Sequence, residues 1–204
     1  MEANGTQRPK AKRVIYRVCL YALPLVALAV TVGVQSQSRT AAGAEKKAVA
    51  ALRVFGGNIY PGEAGKTGFV DLTNSQITDA NLQHLASFPR IDRLVLRNTP
   101  TGDEGLKDVG RLTTLTSLDL SKTEITNSGL ARLATLSNLE VLNLDDTRIG
   151  NVGLEHVRKL PKLTILHLHA TRVTEPGVKM LRRMMPNCLV RFSPARGLEP
   201  IPEL

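Results

Sequence analysis

The sequence predicts an α/β solenoid, with parallel strands along one side, short helices along the other, and a step of 24 residues. Three observations predict it. From Ile91 to Pro186 the chain divides into four consecutive 24-residue blocks with no insertion between them. Each block carries two leucines two positions apart, Leu94/Leu96, Leu118/Leu120, Leu142/Leu144 and Leu166/Leu168. Each block also repeats a glycine, at Gly105, Gly129, Gly153 and Gly177, followed by apolar residues at helical spacing.

The leucine pairs are the strand signal, because alternation along a strand sends the leucines to one face and their neighbours to the other. Val70/Leu72 precede the pairs in the same register and Val190/Phe192 follow them. After each strand the register places Ser75, Thr99, Thr123, Thr147 and Thr171 in the turn, where a hydroxyl can bond to backbone groups. The helical segments start next, with Thr78, Thr126 and Thr174 placed as N-caps. Leu106, Leu130, Leu154 and Val178, with Val109, Leu133, Val157 and Leu181, then face inward. One such unit cannot offset its own ordering entropy, so the units are stable only when stacked.

The pattern fits the leucine-rich repeat L-x-x-L-x-L-x-x-N-x-L, with Ser or Thr in place of Asn. The motif I-T-D-A-N-L at 77–82 and the ending M-P-N-C-L-V at 185–190 make the resemblance more specific. The chain resembles short bacterial membrane-anchored leucine-rich-repeat proteins of the T-D-x-G-L subtype, similar to the cysteine-containing repeats of eukaryotic ubiquitin-ligase adaptors. The resemblance covers residues 44–192. It implies a horseshoe of about five to six repeats with its strands on the concave face, and a role in protein–protein interaction with no partner named. Thr101 stands where an apolar residue is expected, Asn81 where glycine is, and Asn187 where the array's next leucine is, so the array is expected to end there. No F-box precedes the repeats, so the adaptor role is not carried over by the resemblance.

Ahead of the repeats, residues 1–17 form a basic tail and Val18–Val34 an uncharged apolar run. Such a run behind a basic flank predicts a transmembrane signal-anchor, with the tail cytoplasmic and the repeats exported to the periplasmic or extracellular side. A cleaved signal peptide is the alternative, because small residues follow at Gln35–Ser38. Residues 35–43 read as a flexible linker and 44–66 as an N-terminal cap. In that cap Ala48, Leu52 and Phe55 share a helix face, Gly56–Gly57 ends the helix, and Asn58–Tyr60 forms a short strand. The repeats then occupy 67–192 and a tail 193–204.

The net charge of +9 invites a nucleic-acid reading, but residues 67–192 carry only +3 of it. Aromatic residues make up 3% of the chain and there is no Trp, so bases would find little to stack on. Neither nucleic acid nor nucleotide is expected as a partner. Gly62–Thr67 reads G-E-A-G-K-T but lacks the first glycine of a phosphate-binding loop, Tyr60 standing there. Cys19 and Cys188 are too few and too far apart for a disulfide framework and read as small hydrophobes. No enzyme motif, cofactor site or metal site is assigned.

The candidate site lies among the outward strand positions. One column is Asp71, Val95, Asp119, Asn143, His167 and Arg191; the next is Thr73, Arg97, Ser121, Asp145, His169 and Ser193. Asp119, Asn143, Asp145, His167 and His169 should form one patch and are the candidate partner-binding residues. Histidines beside carboxylates make a charge-dependent contact there pH-sensitive. The expected function is a membrane-tethered protein–protein interaction module whose ligand is unknown. The alternatives are a structural or self-associating envelope protein, and an adaptor for a degradation or signalling complex.

Overall fold

A computed structural model describes residues 42–60 and 68–194 of the 204. The chain divides into compact units at Met1–Gly43 and Ala44–Leu204, and the second contains the repeats. The predicted anchor Val18–Val34, the basic tail before it and the Gly62–Thr67 segment lie outside the described residues. Among the described residues no helix is long and apolar enough to cross a membrane.

A helix over residues 42–54, α1, opens the described fold. Ala48 and Leu52 are buried and Phe55 packs against the core, as the spacing predicts for a helix covering the end of the stack. Gly56 ends it with φ of 90°, a left-handed conformation that glycine adopts without strain. Strand β1, Asn58–Tyr60, then pairs antiparallel with β2, Gly68–Asp71.

Every later strand is parallel to the one before it. β3 is Ile91–Val95, β4 Ser117–Asp119, β5 Val141–Asn143, β6 Ile165–His167 and β7 Leu189–Arg191, and the sheet order is the chain order. From Phe69 onward the register is a step of 24 residues, after a shift between Gly68 and Phe69, so Val70, Leu94, Leu118, Leu142, Leu166 and Val190 stand side by side. These residues and the leucines two positions on are buried. The array therefore does not stop at Asn187; that residue is exposed, but Val190 keeps its place in the sheet. Asn187 occupies only the first apolar position of the unit, and strand pairing depends on the later ones.

Between strands the chain returns through short helical segments: a 3-10 helix at Asp79–Ser87, then α2 at Leu106–Val109, α3 at Asn127–Leu130, α4 at Asn151–Val157 and α5 at Glu175–Met184. The caps form largely as predicted. Thr126 Oγ1 accepts from the Ser128 N–H at 3.3 Å and Thr174 Oγ1 from the Gly177 N–H at 3.4 Å. At Thr78 the sense is reversed, its own N–H donating to Asn81 Oδ1 at 3.1 Å. The turn hydroxyls of Thr99, Thr123, Thr147 and Thr171 donate to the carbonyls of Leu96, Leu120, Leu144 and Leu168 at 2.6–3.0 Å. Thr101 is fully buried, and it is tolerated because its hydroxyl pairs with Thr99 Oγ1 at 2.9 Å.

A lock between neighbouring repeats explains the periodic glycines. Asp79, Asp103, Asn127 and Asn151 are 24 apart at the start of the helical segments. Each accepts from a backbone N–H of the next repeat: Gly102, Thr126, Gly150 and Thr174, at 2.7–3.0 Å. Gly105, Gly129, Gly153 and Gly177 lie beneath these same side chains. A Cβ on any of them would come within 2.2–2.6 Å of the Asp or Asn oxygen. Glycine is thus required by a close approach, not by its backbone angles. Asn81 departs from the pattern because the residue 24 before Asp79 is Phe55, in the cap, and has no oxygen to seat.

Candidate functional site

The outward face of the sheet carries the predicted patch. Asp119, Asn143 and His167 are paired residue to residue across β4, β5 and β6. Asp145 and His169 follow two positions later in their repeats, and all five side chains are half-buried. The five predicted residues therefore do come together.

Part of this patch has a local structural task. Asp119 Oδ1 accepts from the Ser121 N–H at 2.9 Å, and Asn143 Oδ1 from the Asp145 N–H at 3.0 Å. Asp71 does the same for Thr73 at 3.0 Å. These bonds turn the backbone out of the strand, which favours Asp or Asn there without any ligand. Asp145 Oδ1 reaches the next repeat, accepting from the His169 N–H at 2.7 Å, while its Oδ2 lies 3.9 Å from His167 Nδ1. The His169 ring shares a 2.8 Å hydrogen bond between Nδ1 and Ser193 Oγ. The two histidine rings meet edge to face with centroids 6.3 Å apart.

Two members of the predicted columns are not outward in effect. Val95 and Ser121 are buried.

A third outward column escaped the sequence reading. The register aligns Phe69, Arg93, Ser117, Val141, Ile165 and Leu189. At its N-terminal end Tyr60 stacks on Phe69 with centroids 5.4 Å apart, and the Arg93 guanidinium lies 5.1 Å from the Phe69 ring centre. At the other end Val141 and Ile165 are half-buried and Leu189 is 55% exposed. The result is an apolar strip over three strands, running beside Asn143 and His167. Its signal was available, since these residues occupy the position before the inward leucine of each unit. Apolar residues on both sides of a short strand, however, blur the alternation that reveals the exposed face.

Arg158, Lys159, Lys162, Arg172, Lys179, Arg182 and Arg183 are all exposed, and Lys179, Arg182 and Arg183 lie on α5, on the helical side. Arg182 also has a structural role, donating from Nη2 to the Val190 carbonyl at 2.8 Å. Arg158 pairs with Glu155 at 2.7 Å and Lys162 donates to Asn138 Oδ1 at 2.8 Å.

A family model described as Leucine Rich repeat matches residues 111–134 and 135–156. No curated protein matches the chain. Among solved structures, an internalin from Listeria monocytogenes is 19% identical over 63% of this chain and 43% of its own, with a TM-score of 0.44. An LRR protein from Leptospira interrogans is 19% identical over 61% of this chain and 36% of its own, with a TM-score of 0.43. The LRR ectodomain of the receptor kinase SOBIR1 from Arabidopsis thaliana is 14% identical over 75% of this chain and 93% of its own, with a TM-score of 0.43. The chain thus spans less than half the length of the first two. Residues 111–156 thus match leucine-rich repeats, and the seven-stranded sheet, parallel from β2 onward, gives the chain a leucine-rich-repeat, solenoid-like fold.

Proposed function

We propose that the chain is a membrane-tethered module that binds a protein ligand on the outward face of its sheet. The observation that carries this reading is the adjacency of two surfaces on β5, β6 and β7. The Val141–Ile165–Leu189 strip lies beside the polar column through Asn143 and His167. An apolar centre with a polar rim is the usual composition of a protein interface. Backbone pairing holds these side chains on rigid strands, which lowers the ordering cost of binding. Tethering rests on the Val18–Val34 run and its basic flank, with the repeats on the exported side. The Asp/Asn–Gly locks support assignment of the array to the T-D-x-G-L subtype.

The test is affinity capture with the detergent-solubilised full-length chain as bait. A stoichiometric heterologous protein should be retained. Retention should fall by at least about tenfold, corresponding to ~1.4 kcal/mol, on replacing Ile165 by Ser, or Asp145 and His169 together by Ser. Replacing Lys179 and Arg183 on the helical side should leave it unchanged; Arg182 is unsuitable as a control because it caps Val190. Capture lost only in the Lys179/Arg183 variant would move the ligand surface to the basic side. Self-association with no other protein retained would favour a structural envelope role.

A further inference from the structure

We propose that Asp145, His167 and His169 form a binding site for a divalent transition-metal ion of the zinc type. A carboxylate oxygen and two imidazole nitrogens, one from each residue, all lie within 4.8 Å of one another. Tetrahedral coordination brings ligand atoms to about 3.3 Å apart, from metal–ligand bonds of ~2.0–2.1 Å. Small side-chain rotations therefore close the site without moving the backbone. The mixed set of two imidazoles and one carboxylate selects zinc, cobalt, nickel or copper over calcium or magnesium, which take oxygen ligands.

The residues are held as ligands need to be held. His167 and His169 flank the buried Leu168, and their rings meet edge to face with centroids 6.3 Å apart, so both lie on the same side. Asp145 reaches them from the preceding repeat, fixed through Oδ1 by the His169 N–H at 2.7 Å, with Oδ2 turned toward His167. When His169 Nδ1 carries the proton it donates to Ser193 Oγ, 2.8 Å away, and Nε2 is left with its lone pair for the ion. An outer partner of this kind fixes the tautomer and the orientation of a ligating histidine. All three residues are half-buried, which leaves an open coordination position for water or for a group on a binding partner. Arg191, in register with His167 on β7, adds a like charge nearby, while Asp119 lies two strands away on the other side. The site stands whether or not the same face binds a protein.

The test titrates Zn2+ into the untagged full-length chain in detergent by calorimetry, with Co2+ absorption as a second readout. One equivalent should bind, give a d–d absorption band, and raise the melting temperature. His167→Gln and His169→Gln, which keep the side-chain volume, should each weaken Zn2+ binding at least about tenfold and abolish the thermal shift, while melting normally without metal. Asp145→Asn should do the same, and Ser193→Ala should have a smaller effect. Substitution of the other two histidines, His84 and His156, which lie on the helical side, should change nothing. Absence of saturable binding, undiminished binding in the His167 and His169 variants, or loss only in the His84/His156 variant would overturn the proposal.

Discussion

Asn74, Asn98, Lys122, Asp146 and Ala170 adopt left-handed backbone angles, with φ between 53° and 58°. They occupy equivalent places after successive strands. Asparagine tolerates this conformation, and Asn98 Nδ2 also donates to Asn74 Oδ1 at 2.7 Å across the repeat boundary. Lysine and alanine have no such compensation, and a Cβ in this region is costly. Lys122→Asn should extend the asparagine ladder and raise stability by about 0.5–1 kcal/mol, visible as a higher melting temperature. A neutral result would mean that the ladder bond contributes nothing. Only the aligned register reveals these positions, because Lys and Ala carry no turn signal of their own. The turn threonines were legible by contrast, since the same residue type recurs at each step. Burial pushes the Cys188 thiol up from its ordinary value. A thiol that holds its proton more tightly in the folded state costs stability as pH rises past its unfolded value, and below that value it has no effect. In a Cys19→Ser background, iodoacetamide at pH ~8.5 should therefore react with Cys188 far more slowly in the native chain than in urea. Equal rates would show the thiol to be accessible.

At the scale of elements, the Asp103–Gly129 lock lends itself to a double-mutant cycle. Asp103 accepts from both the N–H and the hydroxyl of Thr126, at 2.7 and 2.6 Å. Asp103→Ala should cost about 1–3 kcal/mol by leaving that N–H without its partner, whereas Asp103→Asn should cost less, as Asn127 and Asn151 serve at the equivalent places. Gly129→Ala should cost a similar amount, because its Cβ would lie 2.4 Å from Asp103 Oδ1. In the double Ala variant most of the second penalty should disappear, since the closest contact is removed and only Leu106 Cδ1 at 3.0 Å remains. Strict additivity would rule the lock out. Strand register has its own test. Leu142 is fully buried and Asn143 faces out, so Leu142→Asp should unfold the chain or cost several kcal/mol, and Asn143→Asp should change little. The glycines were legible as a period but not as a cause, because what requires them is an oxygen about 26 residues earlier in the chain.

For the whole molecule, periodicity alone conveyed the fold, since every unit repeats the same contacts and an error in one is corrected by the next. The proposed binding face was only partly legible. Its polar columns stand out against the leucines, while Val141, Ile165 and Leu189 resemble further core until the register turns them outward. The excess positive charge lies largely outside residues 67–192, much of it in the basic flank ahead of the apolar run Val18–Val34. The full-length protein should accordingly remain in the membrane pellet after alkaline carbonate washing. A soluble product beginning near residues 35–40 would instead indicate removal of a signal peptide.

The lock has a polarity that matters during synthesis. Its acceptor always sits in the earlier repeat and its donor and glycine in the later one. As the chain emerges N-terminus first, the finished end of the stack exposes Asp79, then Asp103, Asn127 and Asn151 in turn, each a docking point awaiting the next unit. The acceptor of each lock is thus made before its donor and its glycine, so each docking point precedes in synthesis the unit that fills it.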